Sequence, residues 1–153
     1  MAQPTVTQIK NQIVTLCGLI SGIATALDDY PEDNEPFTNA ELPAIVVRVG
    51  AATYEKQSAH RLMVSRTYQI IVHIERITED VQDPDTAALE AVEPFLLSVA
   101  TYLSAHPRLD NDDSGLAVST TLQGDNGPPR IVKEGADYRG TVLNLIVDTL
   151  HNT

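Results

Sequence analysis

Cysteine and aromatic residues are scarce in this chain. It contains one cysteine, no tryptophan, five tyrosines and two phenylalanines among 153 residues. A single cysteine can form neither an intrachain disulfide nor a cysteine-based metal cluster, so both are excluded. Because Cys17 ends an apolar run, we predict that it is a small, buried hydrophobic residue.

Positive charge is also scarce. Ten Lys and Arg residues oppose 21 Asp and Glu residues, which gives a formal net charge of −11. A surface of this sign repels phosphate, so nucleic-acid binding through a basic footprint is not expected. The charge suits a solvated surface, and it equally suits a channel through which DNA passes without binding.

Long apolar runs are missing as well. Every apolar stretch is far shorter than the roughly 18 residues that a membrane helix needs. The N-terminus lacks the basic region and apolar core of a signal peptide. The sequence therefore predicts a protein that is made in the cytoplasm and has no membrane partner. Its length and its apolar fraction of 42% predict a single globular domain over residues 1–153.

Two segments have the apolar spacing of amphipathic helices. Residues 5–27 repeat apolar side chains at intervals of three and four, with Thr5 or Thr7 as the cap. Gly18 and Gly22 weaken this helix and indicate either close packing or a break.

The second helix is predicted to begin with Asp83 as its cap and Pro84 in its first turn. Pro94 should kink it, and the His106-Pro107 pair should end it. Its predicted buried stripe consists of Leu89, Val92, Leu96, Val99 and Leu103.

Four segments are predicted to be strands. Residues 62–76 alternate most clearly, and residues 44–49 are apolar on both faces. A loop at 50–60 would join these two strands into a hairpin, and strands at 116–122 and 139–150 follow. The predicted fold class is α+β, with a mainly antiparallel four-stranded sheet and two main helices packed on one face.

No segment carries a complete catalytic or metal-binding motif. Residues 110–115, "DNDDSG", match part of a calcium loop, but Thr121 stands where the bidentate acid belongs. We predict an acidic turn there, with a weak calcium site as the alternative. His73 and Glu75 match a fragment of zinc deaminase sites whose paired cysteines are missing, so we predict a surface pair. We therefore assign no catalytic, cofactor-binding or metal residue, and we expect neither a cofactor nor enzymatic activity.

The few cations are clustered near the first hairpin. Arg48, Lys56, Arg61 and Arg66 lie in or beside it, while acids crowd other segments. A basic edge and an acidic remainder allow copies to pair head to tail, and such heterologous contacts can close into rings. This predicts that reversing the charge of Arg48 and Arg61 together weakens self-association and leaves the monomer folded. The alternative is that these cations only balance local charge.

The chain resembles the tail-terminator (tail-completion) proteins of long-tailed bacteriophages. The similar segments are, in order, "LPAIVVRVGAATYE", "RTYQIIVHIE", "DTAALEAVEPFLLSVATYL", "DDSGL" and "YRGTVLNLIVD". The resemblance runs from about residue 5 to residue 149 and departs from the family at the link "QGDNGPPRIVKEG".

This resemblance implies a structural protein of the virion, located at the head-proximal end of the tail. Such proteins form a ring of six copies that caps the tail tube, stops its growth and presents the surface that joins the head. The implied partners are other copies of the chain, the tail-tube protein and a head-completion or neck protein. DNA would pass through the lumen without specific binding.

The hairpin is the predicted contact with a neighbouring subunit or with the tube. The predicted contact residues are Arg48, Tyr54, Lys56, His60, Arg61 and Arg66. Two other functions stay open at this point. One is a different joining protein of the neck or tail tube, and the other is a small enzyme or ligand-binding domain with a concave polar pocket.

Overall fold

A computed structural model describes residues 4–30, 36–77, 85–109, 119–125, 130–133 and 136–152. The two helices of this part of the chain are α1 (Val6–Gly18) and α2 (Asp85–Ser104). Its six strands are β1 (Thr25–Leu27), β2 (Ala44–Ser58), β3 (Arg61–Ile77), β4 (Ser119–Asp125), β5 (Arg130–Lys133) and β6 (Ala136–Asn152).

The strands form one mixed sheet. Five of them follow the order β1-β2-β3-β6-β4, and β5 pairs with the first residues of β6. β1 is parallel to β2, and the other pairings are antiparallel. The predicted α+β class is confirmed and the pairings are mainly antiparallel as predicted, but the predicted number of four strands is wrong. β1 and β5 were not predicted, because in strands of three or four residues the apolar and polar side chains alternate too few times to reveal a period of two.

Helix α1 is shorter than predicted. The Thr5 cap is confirmed, because the Gln8 amide donates to Thr5 Oγ1 at 3.1 Å while the Thr5 amide donates to Gln8 Oε1 at 2.8 Å. The helix ends at Gly18, and Gly22 takes a φ of +92° in the turn before β1. The apolar spacing continued past Gly18 because Ile20 lies in this turn and still faces the same core.

The first hairpin is longer than predicted. The predicted loop at 50–60 is wrong, because β2 continues to Ser58 and only residues 59–60 form the turn. Two register shifts, between Val49 and Ala52 and between Lys56 and Ser58, break the regular alternation of β2. A β-bulge of this kind hides a strand from pattern analysis, although its backbone stays paired.

The main core lies between the two helices and one face of the sheet. Both helices contribute apolar side chains to it, as do β2, β3 and β6, and Cys17 is fully buried as predicted. Its members are Ile9, Ile13, Leu16, Cys17, Ile20, Ile45, Val47, Tyr68, Ile70, Val72, Val92, Leu96, Val99, Leu103, Leu109, Leu143, Leu145 and Val147. Burial of each large apolar side chain contributes about 1.5–3 kcal/mol, so this layer is the main source of stability.

A second, smaller core covers one end of the opposite face. It contains Phe37, Ala44, Val46, Ile71 and Tyr138. The two cores together explain why the beginning of β2 is apolar on both faces, as the sequence predicted.

Several predicted features lie outside the described residues. These are the cap at Asp83 and Pro84, the side chain of Leu89, the acidic turn at 110–115 and the first part of the strand at 116–122. The other four members of the predicted α2 stripe are buried, and the predicted strand at 139–150 lies within β6. The link "QGDNGPPRIVKEG", at residues 123–135, overlaps the end of β4 and contains β5.

Candidate functional site

The far end of the hairpin is the most exposed part of the sheet. We define the hairpin arm as residues 50–66, which include the end of β2, the turn at 59–60 and the beginning of β3, together with residues 148–152 of β6, which pair with β3. Within the described chain, β1 pairs with β2 only at residues 44–46, so the outer edge of β2 in the arm has no described strand beside it. All side chains from residue 53 to residue 61 are exposed.

Five of the six predicted contact residues lie in the hairpin arm. Tyr54, Lys56, His60 and Arg61 are exposed, and Tyr54 retains 62% of its accessible surface. The structure therefore brings these side chains to one end of the molecule. Their chemistry, a large aromatic ring among cations, is typical of residues that anchor protein interfaces.

Arg66 connects the irregular part of β2 to this aromatic ring. Its Nη1 donates to the carbonyl oxygen of Gly50 at 3.0 Å, and its Nη2 donates to Tyr54 Oη at 3.4 Å. Gly50 is required at this point, because a Cβ atom there would lie 2.9 Å from the backbone oxygen of Thr67. Arg66 thus orients Tyr54 in addition to carrying charge.

Arg48 does not belong to the hairpin arm. It pairs with Gln69, whereas Tyr54 pairs with Val64, and positions 64 and 69 of β3 face opposite sides of the sheet. The Arg48 guanidinium lies 5.8 Å from the centroid of the Tyr30 ring, in cation–π geometry. Burial raises the pKa of Tyr30, and the charge of Arg48 partly opposes this rise. Arg48 was predicted to belong with the arm residues because it is close to them along the chain.

A buried histidine forms a second polar cluster. His73 is fully buried, with Nδ1 3.1 Å from the carbonyl oxygen of Ala44 and Nε2 3.0 Å from Tyr30 Oη. A carbonyl oxygen only accepts, so Nδ1 carries the proton of a neutral ring and Nε2 accepts from the tyrosine hydroxyl. The rings of Phe37 and Tyr138 contact His73 edge-on. This cluster closes the smaller core.

The predicted surface pair of His73 and Glu75 is therefore wrong. The Glu75 side chain is 57% exposed and forms a 2.9 Å ion pair with Arg139, while His73 is buried. A register shift between the two residues interrupts the alternation on which the prediction relied. The sequence signal that could have indicated a buried histidine is the pair of aromatic residues Tyr30 and Phe37, which contact His73 in the structure.

A groove of about 510 Å³ lies between the end of α1 and the outer side of α2. It is lined mainly by Ile20, Leu97, Ser98, Thr101, Tyr102 and Ala105. Leu97 is 58% exposed at the groove, and Leu19, next to Ile20, is 56% exposed. This surface was not predicted from the sequence, because Leu97 is adjacent to Leu96 of the predicted buried stripe and has no spacing pattern of its own.

Within the described ranges, no group of three or more His, Cys, Asp or Glu residues is arranged to hold a metal ion. No helix in this described part is both long and apolar enough to cross a membrane.

Two comparisons with known proteins found no match. No protein-family model matches the sequence. No curated protein matches it significantly.

Proposed function

We propose that this chain is a structural ring protein of a bacteriophage tail, of the tail-terminator type. In this role six copies form a ring that caps the tail tube, stops its polymerisation and joins it to the head. The proposal rests on the ordered sequence resemblance and on the exposed hairpin arm. The α+β class with both helices on one face is compatible with it.

The hairpin arm is the observation that carries the proposal. Fixing the backbone of one residue costs about 1–2 kcal/mol in conformational entropy. An exposed side chain offsets little of this cost because it buries little surface. Most of the β2 side of the arm is exposed, yet the hydrogen bonds of Arg66 and the pairing with β3 support its backbone. An ordered, aromatic and basic projection on an acidic protein fits a contact with another protein surface.

The charge distribution supports a ring around DNA. With a net charge of −11, the chain repels phosphate, and a lumen with this charge lets a duplex slide without specific binding. The proposed partners are therefore other copies of the chain, the tail-tube protein and a head-completion or neck protein. A different joining protein of the neck or tube is the competing assignment, since it would share these properties.

The enzyme alternative would require convergent polar groups in a pocket. The groove between the helices is lined by no acidic, basic or histidine side chain. Its lining instead fits an apolar or aromatic insertion.

Native mass spectrometry over a wide concentration range, followed by electron microscopy, tests the proposal. We expect a closed ring of six copies that binds one end of isolated tail tubes. Rings that bind the neck but not the tube would favour the competing joining role. A chain that remains monomeric at all concentrations, and also in the presence of tubes, would contradict both roles.

A further inference from the structure

The large exposed apolar residues of the described chain fall on separate surfaces. Val49 and Tyr54 lie at or in the hairpin arm, with 40% and 62% of their surface exposed. Leu97 lines the groove between α1 and α2, Leu19 precedes the groove residue Ile20, and Val6 begins α1. Apolar surface of this kind on a soluble protein commonly marks interaction sites. A projecting aromatic side chain and an apolar groove have complementary shapes.

The lining of the groove suits a tyrosine. Ile20, Leu97 and Tyr102 provide apolar contact, and the hydroxyls of Ser98 and Thr101 provide hydrogen-bonding groups. A tyrosine ring buries a large apolar area but needs a partner for its hydroxyl when it leaves water. The groove offers both kinds of contact.

The two surfaces also have opposite charge. Residues 50–66 contain three cations and one acid, which gives a net charge of +2. The α2 segment Asp85–Ser104 contains three acids and no Lys or Arg, which gives −3. Glu93 is exposed and lies four residues before Leu97, so both side chains occupy the same side of the helix.

Tyr54 lies far from the α1 side of the groove in its own chain. A Cβ atom at Gly18, at the end of α1, would lie 3.8 Å from the Ala26 side chain, and Ala26 pairs with Ile45. The groove therefore lies near the Ile45 end of β2. Tyr54 is nine residues further along this strand, a distance of roughly 30 Å at about 3.3 Å per residue.

We infer that the hairpin arm of one copy docks into the groove between α1 and α2 of a second copy, with Tyr54 inserted and Lys56, on the same face of β2, beside Glu93. The contact joins two different surfaces of identical chains, so it is heterologous and leaves one free arm and one free groove at each step. Closure of such a series produces a ring. This inference rests on the proposed ring function and specifies its subunit contact.

Site-specific cross-linking tests this contact. Ala52→Cys introduces a thiol on the same face of β2 as Tyr54 without removing the ring, and Thr101→Cys introduces one at the groove. The native Cys17 does not compete, because it is fully buried and burial raises the pKa of its thiol to about 12. A short bis-maleimide is then added to a mixture of the two single variants.

We expect a cross-linked dimer in the mixture and not with either variant alone. A chain carrying both cysteines should give a ladder of products that ends at the size of the ring. Thr121→Cys, an exposed threonine on β4, replaces Thr101→Cys as the matched control and should give no dimer. Adding Tyr54→Ala to the Ala52→Cys chain should abolish most of the product.

A charge exchange tests the pairing independently. Lys56→Glu or Glu93→Lys alone should reduce the cross-linked product, and mixing the two variants, each with its cysteine, should restore it. Restoration distinguishes a direct contact from a general loss of folding. Equal yields in all combinations would remove these charges from the contact.

The outcomes separate this inference from the proposed function. Rings that form without any product between positions 52 and 101 would overturn the docking contact and leave the ring function standing. A chain that neither self-associates nor binds tail tubes would overturn both.

Discussion

The same two strands behave differently in the body of the sheet and in the hairpin arm. In the body, the side chains of β2 from residue 44 to residue 47 are all 0% exposed, because one core lies on each face. In the arm, ten or so residues later along the strand, Tyr54 and its neighbours are exposed. β3 continues through both regions and keeps β2 paired throughout, apart from two register shifts.

This contrast distinguishes residues that stabilise the fold from residues that can contact other proteins. Apolar burial stabilises the body, so substitutions there should change the free energy of unfolding. The arm is ordered by backbone pairing and by the hydrogen bonds of Arg66, so substitutions of its exposed side chains should change assembly and leave folding nearly intact. Four predictions test this division, from the largest expected effect to the smallest.

Replacing Gly140 by alanine should have the largest effect, because it disrupts the centre of the body. Gly140 has a φ of +155°, and a Cβ atom there would overlap the carbonyl oxygen of Val72 on β3. We expect a loss of more than about 4 kcal/mol in the free energy of unfolding, measured by urea denaturation. Gly124→Ala is the control, since Gly124 has a φ of +132° but open space around it, and should cost about 1–2 kcal/mol. Similar losses at both positions would contradict the proposed overlap.

A pair of tyrosines compares the two regions directly. Tyr68 in the body is 1% exposed, and Tyr68→Ala should cost about 3–5 kcal/mol, the range for large aromatic truncations in cores. Tyr54→Ala should change stability by less than about 0.5 kcal/mol and weaken self-association. Thermal unfolding and analytical ultracentrifugation measure the two effects. A destabilisation by Tyr54→Ala as large as that by Tyr68→Ala would remove the distinction between the regions.

Cys17 should make the stability of the body depend on alkaline pH. Burial raises its pKa from 9.0 to about 12 in the folded chain. The stabilisation associated with the protonated thiol is complete below pH 9. It is lost as the pH rises towards 12, because the unfolded chain releases the proton first. The loss should be about 1.4 kcal/mol per pH unit in this window, and Cys17→Ala should remove this slope in urea titrations. An equal slope in both proteins would contradict the assignment to Cys17.

Charge reversal should affect assembly alone and have the smallest effect on stability. Arg61→Glu at the exposed tip of the arm should weaken self-association, whereas Arg48→Glu, in the body of the sheet beside Tyr30, should not. The effect predicted for the double reversal should therefore come from Arg61. Sedimentation at low and moderate salt measures it, because screening weakens contacts between exposed charges. A larger effect from Arg48 would indicate that the body of the sheet, and not the arm, forms the contact.

The extent to which sequence predicted this structure differs between regions. In the body, the alternation over residues 62–76 predicted β3, and the spacing of Val92 and Leu96 predicted the buried side of α2. In the arm, the residues Gly50 to Ser58 have no alternation that burial would impose, so the strand was mistaken for a loop. The exposed side chains of the arm were nevertheless predicted as contact candidates, because cations are rare enough in this chain to stand out.

The sequence by itself determined the α+β class, the capped start of α1, the burial of Cys17 and the acidic character of the chain. These features depend on local spacing and composition. Only the tertiary structure decided the parallel pairing of β1, the burial of His73, the separation of Arg48 from Tyr54 and the groove beside Leu97. Each of these depends on a bulge or on a partner distant along the chain, and neither leaves a periodic signal in the residues concerned.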